Sequence, residues 1–384
     1  MDFPVEIITQ SSHLYAAVQE MGDSRAIAVD TEANSRHRYP EQLCLVQIAT
    51  LNRIFIIDTI LLKEIDSLRD ILLDASIVKV FHTAEYDILS LNRHFGFQIR
   101  GVFDAAIAAR FTGISKFALA IILEDLLGIT IQKNRRIQES DWGRRPLSTE
   151  ALEYAANDVR HLFALRDFLD KRLQELGRIS WVIEECTRLE ELRYEPWDLE
   201  TAFLALKGAN RLDGSSLAIL RSLYLFREKE ALKQNRPPYY VIPHNTLLYL
   251  ATNPEADLSK TPGLGKTGLK RFGQDLQEAL EKGLAAAPIY RSSRAITEEL
   301  NEEELQSLKL TRDERDQRLK RLKAWRTSIG ILLSLDPSLV WPRVSLERLS
   351  RDPDTLEVEL TSSDIRRWQH EQFASSLNVL VGSL

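Results

Sequence analysis

The sequence predicts an α/β domain followed by small all-helical modules, and three observations carry that prediction. From residue 1 to about residue 180, short apolar runs bounded by polar turns alternate with amphipathic segments. After Gly177 strand-like runs almost vanish. The helical remainder then contains two segments that resemble each other. At 384 residues and 44% hydrophobic composition, the chain can bury a substantial core and has room for two or three domains.

The strand-like runs are "VEIIT", "AIAVDTE", "LCLVQIAT", "RIFIID" and "IVKVFH". The third and fourth are close enough to form a hairpin around Leu51 and Asn52. From Ser148 onward Leu152, Ala155, Val159 and Leu162 recur at spacings of three and four. With Ser148 as N-cap and Gly177 as stop, this predicts one long helix. Pro196 makes "RYEPWDLE" a linker. Beyond it, "LAILRSLYLFREKEALKQNRPPYYVIPHNTLLYLA" and "RLKRLKAWRTSIGILLSLDPSLVWPRVSLERLS" each run from an amphipathic helix through a Pro-containing connection to a second helix. A second linker falls around "AAAPIYRSSR". The predicted map is a domain over 1–192, a linker over 193–209, a helical module over 210–286, a linker over 287–300 and a second helical module over 301–384.

Several function classes drop out. Cys44 and Cys186 are the only cysteines, without the spacing of a zinc site or a disulfide framework, which suits a reducing cytoplasm. No secretory signal is visible and no apolar run approaches a membrane span, so a cytoplasmic location is expected. "PGLGKTG" ends like a phosphate-binding P-loop, but that motif requires Gly where the chain has Lys260. The net charge of -6 argues against a general nucleic-acid coat, not against local basic patches. One patch, "QKNRRIQESDWGRR", sets Lys133, Arg135, Arg136, Arg144 and Arg145 against Glu139 and Asp141.

The run Ala26 to Val29 ends on Asp30, Thr31 and Glu32. Residues two apart on a strand share a face at roughly 7 Å, so Asp30 and Glu32 project together with Thr31 turned away. Such a pair either emerges harmlessly into solvent or holds divalent cations, which remove most of the cost of burying carboxylates. Asp87 sits in an amphipathic helix after a strand, where an acid also simply favours the helix dipole. Tyr154 and Asp158, four apart, share one face of the long helix.

Asp-x-Glu on a strand, a central Asp and Tyr-x-x-x-Asp on a late helix resemble the three motifs of the DEDD exonuclease superfamily, in its tyrosine-bearing branch. "LCLVQIAT", "VKVFHTAEYDI", "VFDAAIAARF" and "SDWGRRPLSTEALEYAANDVRHLFAL" extend the resemblance to the ribonuclease D family. The two helical modules resemble HRDC domains. The resemblance implies an RNase H-like 3′–5′ exonuclease domain followed by two HRDC-type modules. It further implies that Asp30, Glu32, Asp87 and Asp158 bind two Mg²⁺ or Mn²⁺ ions, which activate water and stabilise the leaving oxygen. Tyr154, with an ordinary pKa near 10, would aim that water rather than deprotonate it.

The expected reaction is hydrolysis of RNA 3′ ends to nucleoside 5′-monophosphates, in the family typically on tRNA precursors, by a monomer. Gln47, Phe81, His82 and Trp142 are candidates to grip the terminal nucleotide, although His82 and Trp142 read equally as core residues. Arg135, Arg136, Arg144 and Arg145 would track the backbone. Lys266 and Lys270 lie in the first module, where 11 cations oppose eight acids over 211–286, which predicts salt-sensitive binding of modest strength. Two alternatives stand beside this reading: a 3′–5′ DNA exonuclease, since recognition of a 2′-hydroxyl is not legible in these motifs, and a non-catalytic nucleic-acid-binding protein.

Overall fold

The computed structural model describes residues 3–132, 134–290 and 302–383, with the side chains of 302–310 left out. Most of the predicted 287–300 linker, and Lys133, therefore lie outside the described residues.

Six strands form one mixed sheet: β1 (Val5–Ile8), β2 (Ala26–Ala33), β3 (Leu43–Ala49), β4 (Ile54–Asp58), β5 (Val78–Phe81) and β6 (Val102–Asp104). Their order is β1-β4-β3-β2-β5-β6. The predicted hairpin joins β3 to β4, closed by Thr50 donating its N–H to the Arg53 carbonyl at 2.9 Å. β2, β5 and β6 run parallel to one another, while β3 is antiparallel to both its neighbours. β3 is buried at every residue, as a central strand covered on both faces must be.

One asymmetry positions the site. β5 pairs with β2 only over Ala26 to Ala28, whereas β3 accompanies β2 from Ala28 to Ala33. The acidic end of β2 therefore runs past the end of β5, and a cleft opens on that side. The position agrees with the general rule that open α/β sheets bind ligands beyond the carboxyl ends of their parallel strands.

The helices that matter here are α1 (Glu85–Phe95), α2 (Ala105–Phe111), α3 (Thr149–Arg160), α4 (Leu162–Leu176) and α5 (Ile179–Glu190). The single long helix expected from Ser148 to Gly177 is two helices, broken at His161 (φ -111°, ψ 3°). No Pro or Gly marks that break. It follows from packing: α3 lies on β2, β3 and β4, whereas α4 packs on α2 and β5. Ser148 caps α3 as expected, accepting the Ala151 N–H. β6, three residues long, gave no strand signal of its own.

The first helical module is built on α6 (Gly214–Gln234), α7 (His244–Thr252) and α8 (Gly265–Ala285). The second repeats the order with α9 (Glu302–Leu333), α10 (Arg343–Arg351) and α11 (Arg367–Val381). In each, a one-turn helix beginning at a proline, Pro238 or Pro337, precedes the short middle helix. The first module has its own apolar core, which already includes Ala202 and Phe203.

Among the described residues the second module's buried side chains form no separate core: Leu322, Trp341, Trp368, Phe373 and Leu377 join the buried cluster of the sheet domain. Trp368 stacks on Trp181 of α5 at 4.7 Å and meets Phe111 of α2 edge-on at 5.2 Å. The Arg178 guanidinium donates to the carbonyls of Phe111 and Leu333, and Arg366 pairs with Glu185 at 3.1 Å. The approach is close enough that a Cβ on Gly113 (φ 92°) would stand 2.5 Å from the Ser334 carbonyl oxygen.

Candidate active site

The cleft beside β2 encloses about 850 Å³, and Asp30, Glu32, Asp87, Tyr154 and Asp158 all line it. The alternation of β2 places Asp30 and Glu32 on the face that α3 covers, where Asp158 meets them. One carboxylate oxygen from each of Asp30, Glu32 and Asp158 lies within 4.8 Å of the others.

Asp87 enters differently. Thr31, turned to the other side of the strand, donates its hydroxyl to the Asp87 carboxylate at 2.5 Å. That bond fixes Asp87 beside the group of three without placing it among them. Burial pushes the Asp30 carboxyl up to about 7. Glu32, Asp87 and Asp158 are also held well above the usual carboxylate range, by burial first and then by repulsion from neighbouring acids. Burial, then Asp158, Glu32 and Asp30, raises the Tyr154 hydroxyl, so it stays protonated at neutral pH.

The turn that carries His82 and leads into α1 is held by Asp104. Thr83, in the left-handed region at φ 69°, and Ala84 both donate their N–H groups to Asp104, at 3.3 and 2.7 Å. Asp104 also caps α2 through the Ala106 and Ile107 N–H groups. One buried side chain thereby sets the geometry of two helix starts. Neither Thr31 nor Asp104 was singled out from sequence. Their only signal is position, one between two acids and the other at the end of a strand too short to recognise.

The expected substrate contacts divide. His82 lines the cleft, and burial lowers its imidazole below the usual range. Arg135 lines it too, paired with Glu139 at 2.9 Å, and Arg36 reaches the same Glu139 at 3.3 Å. Arg136 and Arg144 are exposed but away from the cleft lining, Arg144 lying 3.9 Å from Asp141.

Four residues are corrected. Phe81 is fully buried in the core, so it presents nothing to the cleft. Trp142 is 1% exposed and packs under Tyr154, ring centroids 6.1 Å apart, as a floor for that side chain. Gln47 is fully buried on β3 directly opposite Asp30. Arg145 is spent inside the protein: it grips both oxygens of Asp58 at 2.5 and 2.8 Å and donates to the carbonyls of Cys44, Trp142 and Arg144. Lys266 and Lys270, exposed at the start of α8, do not line the cleft. Both cysteines are buried, which pushes each thiol up to about 12.

Clustered, buried acids are relieved either by keeping protons or by a cation, and hard carboxylate oxygens suit Mg²⁺ or Mn²⁺. Offered from the end of a parallel strand and a late helix, they place the chain in the DEDD class of 3′–5′ exonucleases. Comparison with known proteins reaches the same class and narrows it. The family model described as 3′-5′ exonuclease matches residues 5–174, and the HRDC domain model matches residues 216–280.

The ribonuclease D of Zymomonas mobilis is 34% identical over 289 residues, covering 73% of each chain. That of Xanthomonas oryzae is 34% identical over 256 residues, 65% of this chain and 69% of that one. The crystal structure of Escherichia coli RNase D shares the fold, with a TM-score of 0.73 at 22% identity over 100% of this chain and 99% of that one. The chain belongs to the ribonuclease D family, and its activity is that of a 3′–5′ exoribonuclease.

Proposed function

We propose that Asp30, Glu32, Asp87 and Asp158 hold two divalent cations, Mg²⁺ or Mn²⁺, at which the last phosphodiester of an RNA is hydrolysed to release a nucleoside 5′-monophosphate. The meeting of Asp30, Glu32 and Asp158 within 4.8 Å carries this reading. When bound, the cations supply a water acidified for attack and charge to stabilise the departing 3′ oxygen. Thr31 keeps the Asp87 carboxylate turned to the site, and Trp142 supports the Tyr154 ring from beneath. The Tyr154 hydroxyl, held protonated, orients the attacking water. His82, at the carboxyl end of β5, and Arg135, on the rim, face the substrate.

The natural substrates we assign are the 3′ ends of tRNA precursors in the cytoplasm. Escherichia coli RNase D, which shares the fold, is described as an exoribonuclease involved in structured RNA processing. Because one chain supplies every acid and the tyrosine, a monomer suffices. No helix of the described residues is long and apolar enough to cross a membrane. The domains are 1–192, 210–286 and 301–384, with Ala202 and Phe203 of the preceding linker packed into the core of the second.

The test is a trimming assay on a tRNA precursor and matched RNA and DNA oligonucleotides, with Mg²⁺, Mn²⁺ or EDTA. Stepwise, metal-dependent shortening of RNA that Asp30→Ala abolishes is the expected result. Intact RNA under every metal condition refutes the reading.

A further inference from the structure

A second cavity of about 720 Å³ lies between the sheet domain and the first helical module. Its walls are mainly apolar and aromatic. Tyr39 comes from the sheet domain, Tyr194 and Trp197 from the connecting segment, and Tyr224 from α6. Its acid, Glu228, is already satisfied by Arg227 at 2.8 Å and the Tyr39 hydroxyl at 2.5 Å. Tyr194 is fixed: its N–H donates to Asn92 at 2.8 Å, and the Arg93 guanidinium stands 4.8 Å over its ring.

Trp197 is the exception. It is 68% exposed and has no ring or hydrogen-bond partner among the described residues. An indole left open at the mouth of an aromatic pocket is a stacking surface without a stack, since tryptophan is ordinarily well buried. Lys207, exposed and lining the same cavity, makes no ion pair among the described residues.

Two elements contribute to both the cavity and the catalytic cleft. On α1, Tyr86 lines the cleft and Arg93 lines this pocket. They stand seven positions apart on the helix, about 10 Å along the axis. On the loop after β2, Arg36 lines the cleft and Tyr39 the pocket, three residues apart and so at most about 11 Å between Cα atoms. A single strand whose 3′ end lies at the acids reaches the pocket within a few nucleotides.

We propose that this interdomain pocket receives one splayed base of the RNA upstream of the scissile end. Trp197 is the stacking face and Lys207 takes the adjoining phosphate, as single-strand sites combine aromatic platforms with cations. The proposal rests on the exoribonuclease reading and adds to it a fixed upstream register. Chains too short to reach the pocket lose that grip.

The test walks a single abasic nucleotide along a single-stranded RNA bound to the full-length Asp30→Ala protein, with affinity read by fluorescence anisotropy. The expected result is one internal position, separate from those at the 3′ end, where base removal weakens binding roughly 5- to 150-fold, the worth of one base–aromatic stack. In Asp30→Ala combined with Trp197→Ala that positional penalty disappears, and Trp197→Phe restores part of it. Lys207→Ala lowers the slope of log affinity against log salt by about one.

A walk that is flat beyond the 3′-terminal positions overturns the proposal, as does an internal penalty that persists unchanged without Trp197. Trimming of the same unmodified RNA by the wild-type enzyme separates the two readings. If trimming persists while the walk is flat, only the pocket falls. If trimming is absent, the exoribonuclease reading falls and takes the pocket with it.

Discussion

The carboxylate cluster makes the metal-free protein sensitive to pH in a definite direction. Asp30 has its folded-state value raised from 3.8 to about 7, by burial above all. Between those values the unfolded chain has released a proton that the folded chain still holds. Folding stability is therefore greatest in acid and is lost as pH rises through about 7. At about 1.4 kcal/mol per pH unit the difference sets a ceiling of about 4 kcal/mol. The carboxylate stands at the floor of an open cleft, and solvent screening brings the expected loss to about 2 kcal/mol.

Glu32, Asp87 and Asp158 shift in the same direction and steepen the fall. The assay is urea denaturation in EDTA at pH 5 and pH 8, with wild type beside Asp30→Asn. Wild type should lose stability toward pH 8, Asp30→Asn should lose less, and saturating Mg²⁺ should restore wild type at pH 8 by binding only the folded state. A wild-type stability that is flat or rising with pH in EDTA, relative to the variant, refutes the electrostatic account.

Three further perturbations follow from the same geometry. Thr31→Val removes the donor that orients Asp87 and should weaken Mn²⁺ affinity by about 10- to 100-fold in titration calorimetry. Tyr154→Phe keeps the ring on Trp142 but removes the hydroxyl, so kcat should fall about a hundredfold with KM nearly unchanged in single-nucleotide release assays. Arg145→Ala leaves Asp58 buried without its bidentate partner and should cost about 3 kcal/mol in denaturant unfolding.

What was legible in the sequence depended on local period. Alternation along β2 put Asp30 and Glu32 on one face and the four-residue spacing on α3 paired Tyr154 with Asp158, but it was the resemblance to the DEDD motifs that joined the two pairs in one site. The bond from Thr31 to Asp87 spans 56 positions and has no local trace. The nucleotide-gripping residues were harder for a different reason. β3 is covered on both faces, so composition alone does not distinguish a buried Gln47 from one that faces substrate. Phe81 and Trp142 likewise look the same in sequence whether they meet a base or another side chain. Counting cations credited Arg145 to the RNA because its carboxylate, Asp58, lies 87 residues upstream. The break at His161 is a tertiary effect, imposed by two packing surfaces rather than by any helix-stopping residue.

The merging of the last helical module with the sheet domain has a consequence during synthesis. Domains generally fold as units while the chain emerges, the N-terminal one first. Here Phe111 and Trp181 belong to the sheet domain, whereas their cover, Trp368 on α11, is made only after the first helical module and most of the second. The nascent nuclease therefore carries an open aromatic patch throughout translation of both helical modules. A ribosome stalled within α11 would hold a catalytic domain already folded around its acids yet prone to self-association, with α11 serving as its built-in chaperone.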